Sequence, residues 1–159
     1  QVLTGLRPGE VIGLDWADIH GSMVNVSRSV NVEGEQTRGK NENAVRSFQL
    51  SALACHVLDE QREAAGGLGS VFRITNEQHY YKRWKTYCAA NGLTPCSLYE
   101  LRHTFVSVVK TLPAGEVKSL VGHSADMDTF GIYAHTLTGD AAHTAQAVNG
   151  VFLQVLKNA

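Results

Sequence analysis

The sequence predicts an α+β domain, mainly helical, with one small antiparallel sheet. Three features carry that prediction. Apolar residues fall on alternate positions between Met23 and Val32, the period of a half-buried strand. A polar, glycine-containing stretch from Glu33 to Asn43 then separates this run from a second apolar one, Val45 to Leu50, so the two pair as a hairpin. Beyond Ser51 the apolar residues recur at three- and four-residue spacing, as in helices that bury one stripe.

In chain order, Pro8 suits the first turn of a helix, Glu10 lies at the end that favours negative charge, and Val11, Ile12 and Leu14 supply an apolar side. A short helix therefore starts just after Arg7. The strand that follows carries Val24, Val26, Val30 and Val32 on one face, and Lys40 falls near the hairpin tip before the return strand. Leu53, Val57 and Leu58, with Ala54 and Ala65, predict a helix running to about Gly66, and Gly66-Gly67-Leu68-Gly69 predicts a loop. Thr75 and Gln78 have capping-box spacing and open a helix striped by Tyr81, Trp84 and Cys88 that Gly92 ends. Tyr80 and Tyr87 lie on the same stretch, and with its lysines they predict one buried stripe and one wet face rather than a platform for bases. Leu101, Phe105, Val108 and Val109 stripe a further helix, Val117, Leu120 and Val121 a short one, and Ala145, Val148, Phe152 and Val155 a terminal one that begins soon after Gly139-Asp140.

At 159 residues and 43% hydrophobic content the chain is long enough for one domain with its own core. No apolar run approaches the roughly 18 residues of a membrane span, and no signal peptide opens the chain, so a soluble, cytoplasmic protein is expected. The chain starts at Gln1 inside what reads as a motif, which predicts a fragment of a longer protein. Cys55, Cys88 and Cys96 are odd in number and lack C-x-x-C spacing, which argues for buried or idle thiols rather than a disulfide framework or a zinc knuckle. His20, His56, His79 and His143 lack ligand spacing, so no metal and no cofactor is expected. The net charge is −1, from 14 Lys and Arg against 15 Asp and Glu, and this balance by itself does not suggest a nucleic-acid partner. A DNA surface would need segregated charge. Arg28, Arg38, Lys40 and Arg46 form one cluster and Lys82, Arg83 and Lys85 another, and each alone reads as a solvated face.

Four short strings stand in order along the chain: Thr4-Gly5-Leu6-Arg7-Pro8-Gly9-Glu10 followed by Leu14 and Trp16, then Leu101-Arg102-His103-Thr104-Phe105, Val121-Gly122-His123-Ser124, and Ile132-Tyr133-Ala134-His135. Arg102 and His123 lie 21 residues apart, and His123 and Tyr133 lie 10 apart. Singly each string is weak, but the ordered set resembles the boxes of the tyrosine recombinases, the phage and transposon integrases, from Thr4 to about His135. The resemblance implies that family's catalytic-domain fold over residues 1–159, with an N-terminal core-binding portion absent. It also implies an enzyme that cleaves and rejoins double-stranded DNA at recombination sites through a 3′-phosphotyrosine, assembled on DNA as a tetramer. By the same resemblance Arg7 and Arg102 are catalytic arginines, His123 a third site residue and Tyr133 the nucleophile. The family's lysine stands six residues before an arginine on a hairpin, which matches Lys40 before Arg46, with Arg38 close by in the same turn.

The chemistry of these residue types fits. In-line phosphoryl transfer needs positive charge around the equatorial oxygens, and the planar, permanently ionised forks of two arginines supply it with paired hydrogen bonds. A phenol of pKa about 10 becomes a nucleophile where cationic neighbours favour its anion. A lysine can protonate the leaving 5′-oxygen. His103 is adjacent to Arg102 but diverges from it on a helix, which predicts a supporting or core role, and His135 is likewise supportive.

Tyr99 departs from the family pattern, in which a histidine often stands three residues before the second arginine. A neutral phenol is a poor base, so Tyr99 is read as a hydrogen-bond donor to a phosphate oxygen, with the Tyr133 proton lost to water or to His123. Two alternatives stay open: a DNA-binding or assembly module on the same fold with impaired catalysis, and an unrelated helical interaction domain. The terminal stripe is expected to be exchanged between protomers on DNA.

Overall fold

The computed structural model describes residues 1–37, 45–121 and 138–158. Its helices are α1 (Pro8–Gly13), α2 (Ala52–Ala65), α3 (Glu77–Ala90), α4 (Leu98–Val109), α5 (Ala114–Val121) and α6 (Thr138–Lys157). Its strands are β1 (Ile19–His20), β2 (Met23–Val26), β3 (Ser29–Val30), β4 (Gln36–Thr37) and β5 (Arg46–Gln49). The mainly helical α+β prediction holds. The hairpin prediction holds for β2 and β5, which pair antiparallel with Val24 opposite Phe48 and Val26 opposite Arg46.

The single strand expected from Met23 to Val32 is two. β2 sits in a three-stranded sheet of order β1-β2-β5, whereas β3 leaves it to pair with β4, a strand inside the stretch expected to be a turn. Helix α1 accounts for the break, because β3 packs against it. A Cβ at Gly9 would overlap Ser29 Oγ and the Val30 carbonyl, so the glycine sets how closely α1 and β3 approach.

Most helix ends follow their sequence signals. Ser51 caps α2 through Ala54 N–H, and Gly66 ends it in the left-handed conformation at φ 84°. One cap differs: α3 is capped by Asn76, whose side chain accepts from His79 N–H, while Thr75 turns its hydroxyl to His79 Nδ1. The aromatic stripe of α3 is also wetter than expected. Only Cys88 is buried there, Tyr81 and Tyr87 are exposed, and Trp84 stacks on Tyr87.

The core gathers Val24, Val26, Phe48 and Leu50 of the sheet region, Leu58 of α2, Phe105 and Val109 of α4, and Val148 and Phe152 of α6. Contrary to the expected exchange, α6 is therefore seated in its own domain. Phe152 stacks on Phe105, Asn149 Oδ1 accepts from Leu53 N–H at the start of α2, and Thr144 donates to Glu116 of α5. Of the four-residue stripe only Val155 is left exposed. Among the described residues no helix is long and apolar enough to cross a membrane.

Candidate active site

Arg7 stands at the mouth of α1 in extended conformation, and Glu10 one turn on reaches back to it. Glu10 Oε2 accepts from the Arg7 backbone N–H at 2.8 Å, and Oε1 accepts from Arg7 Nη1 at 2.9 Å. The same carboxylate takes both Nη1 and Nη2 of Arg46, at 2.9 and 3.0 Å. Arg46 then uses its Nε to hold the carbonyl of Leu120, at 2.8 Å, near the end of α5. The side chains of Glu10 and Arg46 are both buried. Burial pushes the Glu10 carboxyl up, but the hydrogen bonds and charge of Arg46, followed by the bonds from Arg7, outweigh it and hold it below the ordinary carboxylate range.

Arg102 comes from the middle of α4 and is 6% exposed. Its Nη1 donates to the carbonyl of Gly5 and its Nη2 to the carbonyl of Val121, at 2.8 Å for the second. Gly5 is required there. Its φ of +64° favours glycine, and a Cβ would overlap the ring of Phe105, so the chain can turn its carbonyl to Arg102 only without a side chain. Burial first, and then the charge of Arg7, pull the Arg102 guanidinium down to about 10, which leaves it ionised at neutral pH. Among the described residues its hydrogen-bond partners are neutral carbonyls, so these bonds fix its orientation without neutralising its charge, while the Glu10 carboxylate acts on it from nearby.

The structure thus brings Arg7 and Arg102 together, and the link runs through two residues whose role the sequence reading missed. In the sequence Glu10 is a favourable dipole residue and the last residue of the first motif, with nothing to mark it as a partner of Arg46. Arg46 was read as a spacing mark and a solvated charge, yet it is an internal strut. A signal was present: Phe48 on β5 and Leu50 just past its end are buried at alternate positions, and Arg46 continues that register. Arg28, of the same cluster, is not free either, since it pairs with Asp18.

Tyr99 lies in the first turn of α4, one turn before Arg102, and is 51% exposed. It borders a groove of about 350 Å³ with Val32, Glu77, Tyr81 and Leu98. His103 is neither core nor part of this cluster. It is exposed on another face of α4, along a groove shared with Gln154 and Val155 of α6. Lys40, Arg38, His123, Tyr133 and His135 lie outside the described residues. Among the described residues no group of three or more His, Cys, Asp and Glu side chains is placed to hold a metal ion, and all three cysteines are unpaired thiols.

The model of the phage integrase family matches residues 1–139. The ICEBs1 integrase of Bacillus subtilis is 26% identical over 157 residues, covering 84% of this chain and 42% of that protein. A XerC-like tyrosine recombinase of Caldanaerobacter subterraneus subsp. tengcongensis is 24% identical, covering 94% of this chain and 47% of that one. The chain therefore spans a little under half the length of these relatives. In structure it is similar to the Tn1549 transposon integrase, solved in complex with transposon right end DNA, with TM-score 0.64 at 19% identity over 89% of this chain and 54% of the other. The same integrase in complex with circular intermediate DNA gives TM-score 0.62 at 17% identity, covering 99% of this chain and 57% of the other.

Proposed function

The chain belongs to the phage integrase family, the tyrosine recombinases, and from that premise we propose that residues 1–159 form the catalytic domain of a site-specific DNA recombinase working through a 3′-phosphotyrosine. The observation that carries the proposal is the Arg7–Arg102 pair. Two guanidiniums far apart in the sequence converge, and the one on α4 is buried, ionised and, among the described residues, hydrogen-bonded to neutral carbonyls. Preorganised charge of this kind stabilises the equatorial oxygens of a phosphoryl transition state without any reorganisation at the moment of reaction.

In this reading the Tyr133 oxygen attacks phosphorus in line with the departing 5′-oxygen, forming the P–O(Tyr) bond as the P–O5′ bond breaks. The phenol proton passes to water or to His123, and the 5′-oxygen takes a proton from Lys40. Attack by a 5′-hydroxyl on the phosphotyrosine reverses these steps and rejoins the strand, so the bond energy is conserved and no nucleotide cofactor is needed. Tyr99, exposed one turn before Arg102, donates its hydroxyl to a phosphate oxygen. The partner is double-stranded DNA at the recombination site of a mobile element, with a tetramer as the working assembly.

The test is a nicked suicide substrate. A denaturant-stable protein–DNA adduct should form, should map to Tyr133, and should vanish in Tyr133→Phe while binding persists. An adduct that survives in that variant overturns the assignment. Tyr99, in place of a histidine, favours a second reading, a DNA-binding or assembly module on this fold with impaired catalysis. Salt-dependent DNA binding with no adduct would select it.

A further inference from the structure

The aromatic residues of α3 divide into two sets. Trp84 and Tyr87 stack on each other, whereas Tyr81 is in no ring pair among the described residues and carries Lys85 Nζ 5.8 Å from its ring centroid. Tyr81 borders from α3 the same groove that Tyr99 borders from α4, and both side chains are exposed. Leu98, itself buried, and Val32, just past β3, add to the apolar lining of this groove of about 350 Å³. Glu77 and Gln78 of the first turn of α3 give it a carboxylate and an amide.

Its position decides which part of a DNA strand can enter. Tyr99 precedes Arg102 by three residues, about 4.5 Å along a helix axis, and the two are close enough for the charge of the phenol to act on the guanidinium. A phosphate held by Arg102 therefore has its own nucleotide within reach of the groove. The phosphate itself does not suit the groove, where Glu77 presents a like charge. The flat, uncharged part of the nucleotide does. Aromatic rings stack on the face of any base, and a carboxylate accepts hydrogen bonds from an exocyclic amino group. A base inside the duplex has both faces covered by its neighbours, so it must turn out of the stack to meet a tyrosine ring.

We propose that this groove receives a single base turned out of the duplex beside the scissile phosphate. The base stacks on Tyr81 and Tyr99 and is read by Glu77 through its amino group, so adenine, cytosine or guanine is accepted and thymine is not. Tyr99 serves twice, its hydroxyl toward the phosphate and its ring toward the base. Opening one pair at the cut also begins the strand separation that rejoining to a new partner requires. The inference deepens the reading of the site as one that binds and cleaves a phosphodiester, and rests on it.

The experiment measures DNA binding at fixed salt by the full chain carrying Tyr133→Phe, so that no cleavage intervenes. An abasic nucleotide is stepped through the positions on either side of the scissile phosphate, and each duplex is titrated with this protein and with the same protein carrying Tyr81→Leu. At one position the base-bearing duplex should bind the Tyr81→Leu protein about tenfold more weakly, the loss typical of one base–ring stack. The abasic duplex should bind both proteins equally, which also shows that the exposed Tyr81 is not needed for the fold. A mismatch at that position should tighten binding about tenfold, because the pair is already open. Thymine there should weaken it about tenfold, the discrimination of one base-edge contact, and Glu77→Gln, whose amide can serve either kind of base, should remove that preference. Tyr99→Phe, which keeps the ring, should retain the dependence on the base, and Tyr99→Leu should lose it.

A Tyr81→Leu deficit that is the same with and without the base at every position would mean that the ring touches the backbone or supports the fold. No deficit at any position would mean that the groove is filled otherwise, by a second copy or by the chain itself. Either result overturns the proposal. Adduct formation by the protein with Tyr133 intact is read separately on the nicked suicide substrate. If no adduct forms while the base dependence holds, the catalytic reading fails and the base site stands. If the adduct forms and the Tyr81→Leu deficit ignores the base, the base site falls and the catalytic reading stands. Absence of any DNA binding overturns both.

Discussion

Helix α4 faces two interiors of opposite character. On one, Arg102 enters a polar cluster with Gly5, Arg7, Glu10, Arg46 and the end of α5. On the other, three residues later, Phe105 enters an apolar layer and stacks on Phe152 of α6, with ring centroids 6.1 Å apart. Gly5 serves both at once: its carbonyl receives Arg102, and its missing side chain makes room for Phe105. The difference separates two kinds of burial. The apolar layer stabilises the fold through area removed from water. The polar cluster is costly to desolvate and returns mainly orientation and charge.

Truncating each interior tests that contrast. Glu10→Ala leaves Arg46 buried without its carboxylate and should destabilise by about 3–5 kcal/mol; Phe105→Ala opens a cavity and should cost about the same, ~3–5 kcal/mol. Acid should tell them apart. The Glu10 carboxyl is held below its ordinary value of 4.5, so its stabilisation is complete above that pH and is lost as pH falls through the lower folded value. The Glu10→Ala deficit measured by denaturant titration should therefore shrink on acidification, while the Phe105→Ala deficit stays constant. Equal pH responses would mean that the polar cluster is held by packing alone.

Next in size is an effect on rate rather than on stability. Arg102→Lys keeps a positive charge but cannot reach both Gly5 and Val121 with a planar fork. Adduct formation should fall by about 100- to 1,000-fold, the loss typical of one transition-state donor, with DNA affinity nearly unchanged. A matching loss of affinity would indicate ordinary phosphate anchoring.

The same contrast governs what the sequence could say. Periodicity is a statement about apolar burial, and it located α2, α4, the β2–β5 pair and the stripe of α6, because each of these buries hydrophobic area at regular spacing. The polar cluster leaves no such trace. Glu10 and Arg46 lie 36 residues apart and read as surface charges until β5 is placed beside α1, and only the inward register of Arg46 with Phe48 hinted otherwise. The split of the first strand was hidden for a related reason. Val24, Val26 and Val30 keep their alternation although the chain changes sheets at Ser27-Arg28, a change fixed by the contact of Gly9 with Ser29 and Val30. Arg7 and Arg102 were legible from motif spacing, but Arg102 is held by the carbonyls of Gly5 and Val121, which no local pattern encodes.

The smallest expected effect bears on where α6 belongs. Its stripe was expected to serve a neighbouring protomer, and the structure instead places Ala145, Val148 and Phe152 in the chain's own core. The apolar contact does not by itself favour one arrangement, since a groove on a second copy would look the same to Phe152. Asn149 is more discriminating. Its Oδ1 accepts from Leu53 N–H at 3.0 Å, one of the first-turn amides of α2 that has no partner within its own helix, while Ser51 caps Ala54 beside it. Asn149→Ala should therefore lower stability by about 1 kcal/mol, the usual worth of a helix-terminal side-chain bond. Without DNA, the unfolding midpoints of both proteins should be independent of protein concentration, because the lost bond is internal to one chain. A midpoint that rises with concentration in wild type and loses that dependence in Asn149→Ala would instead place α6 on a partner, and the internal seat described above would be wrong.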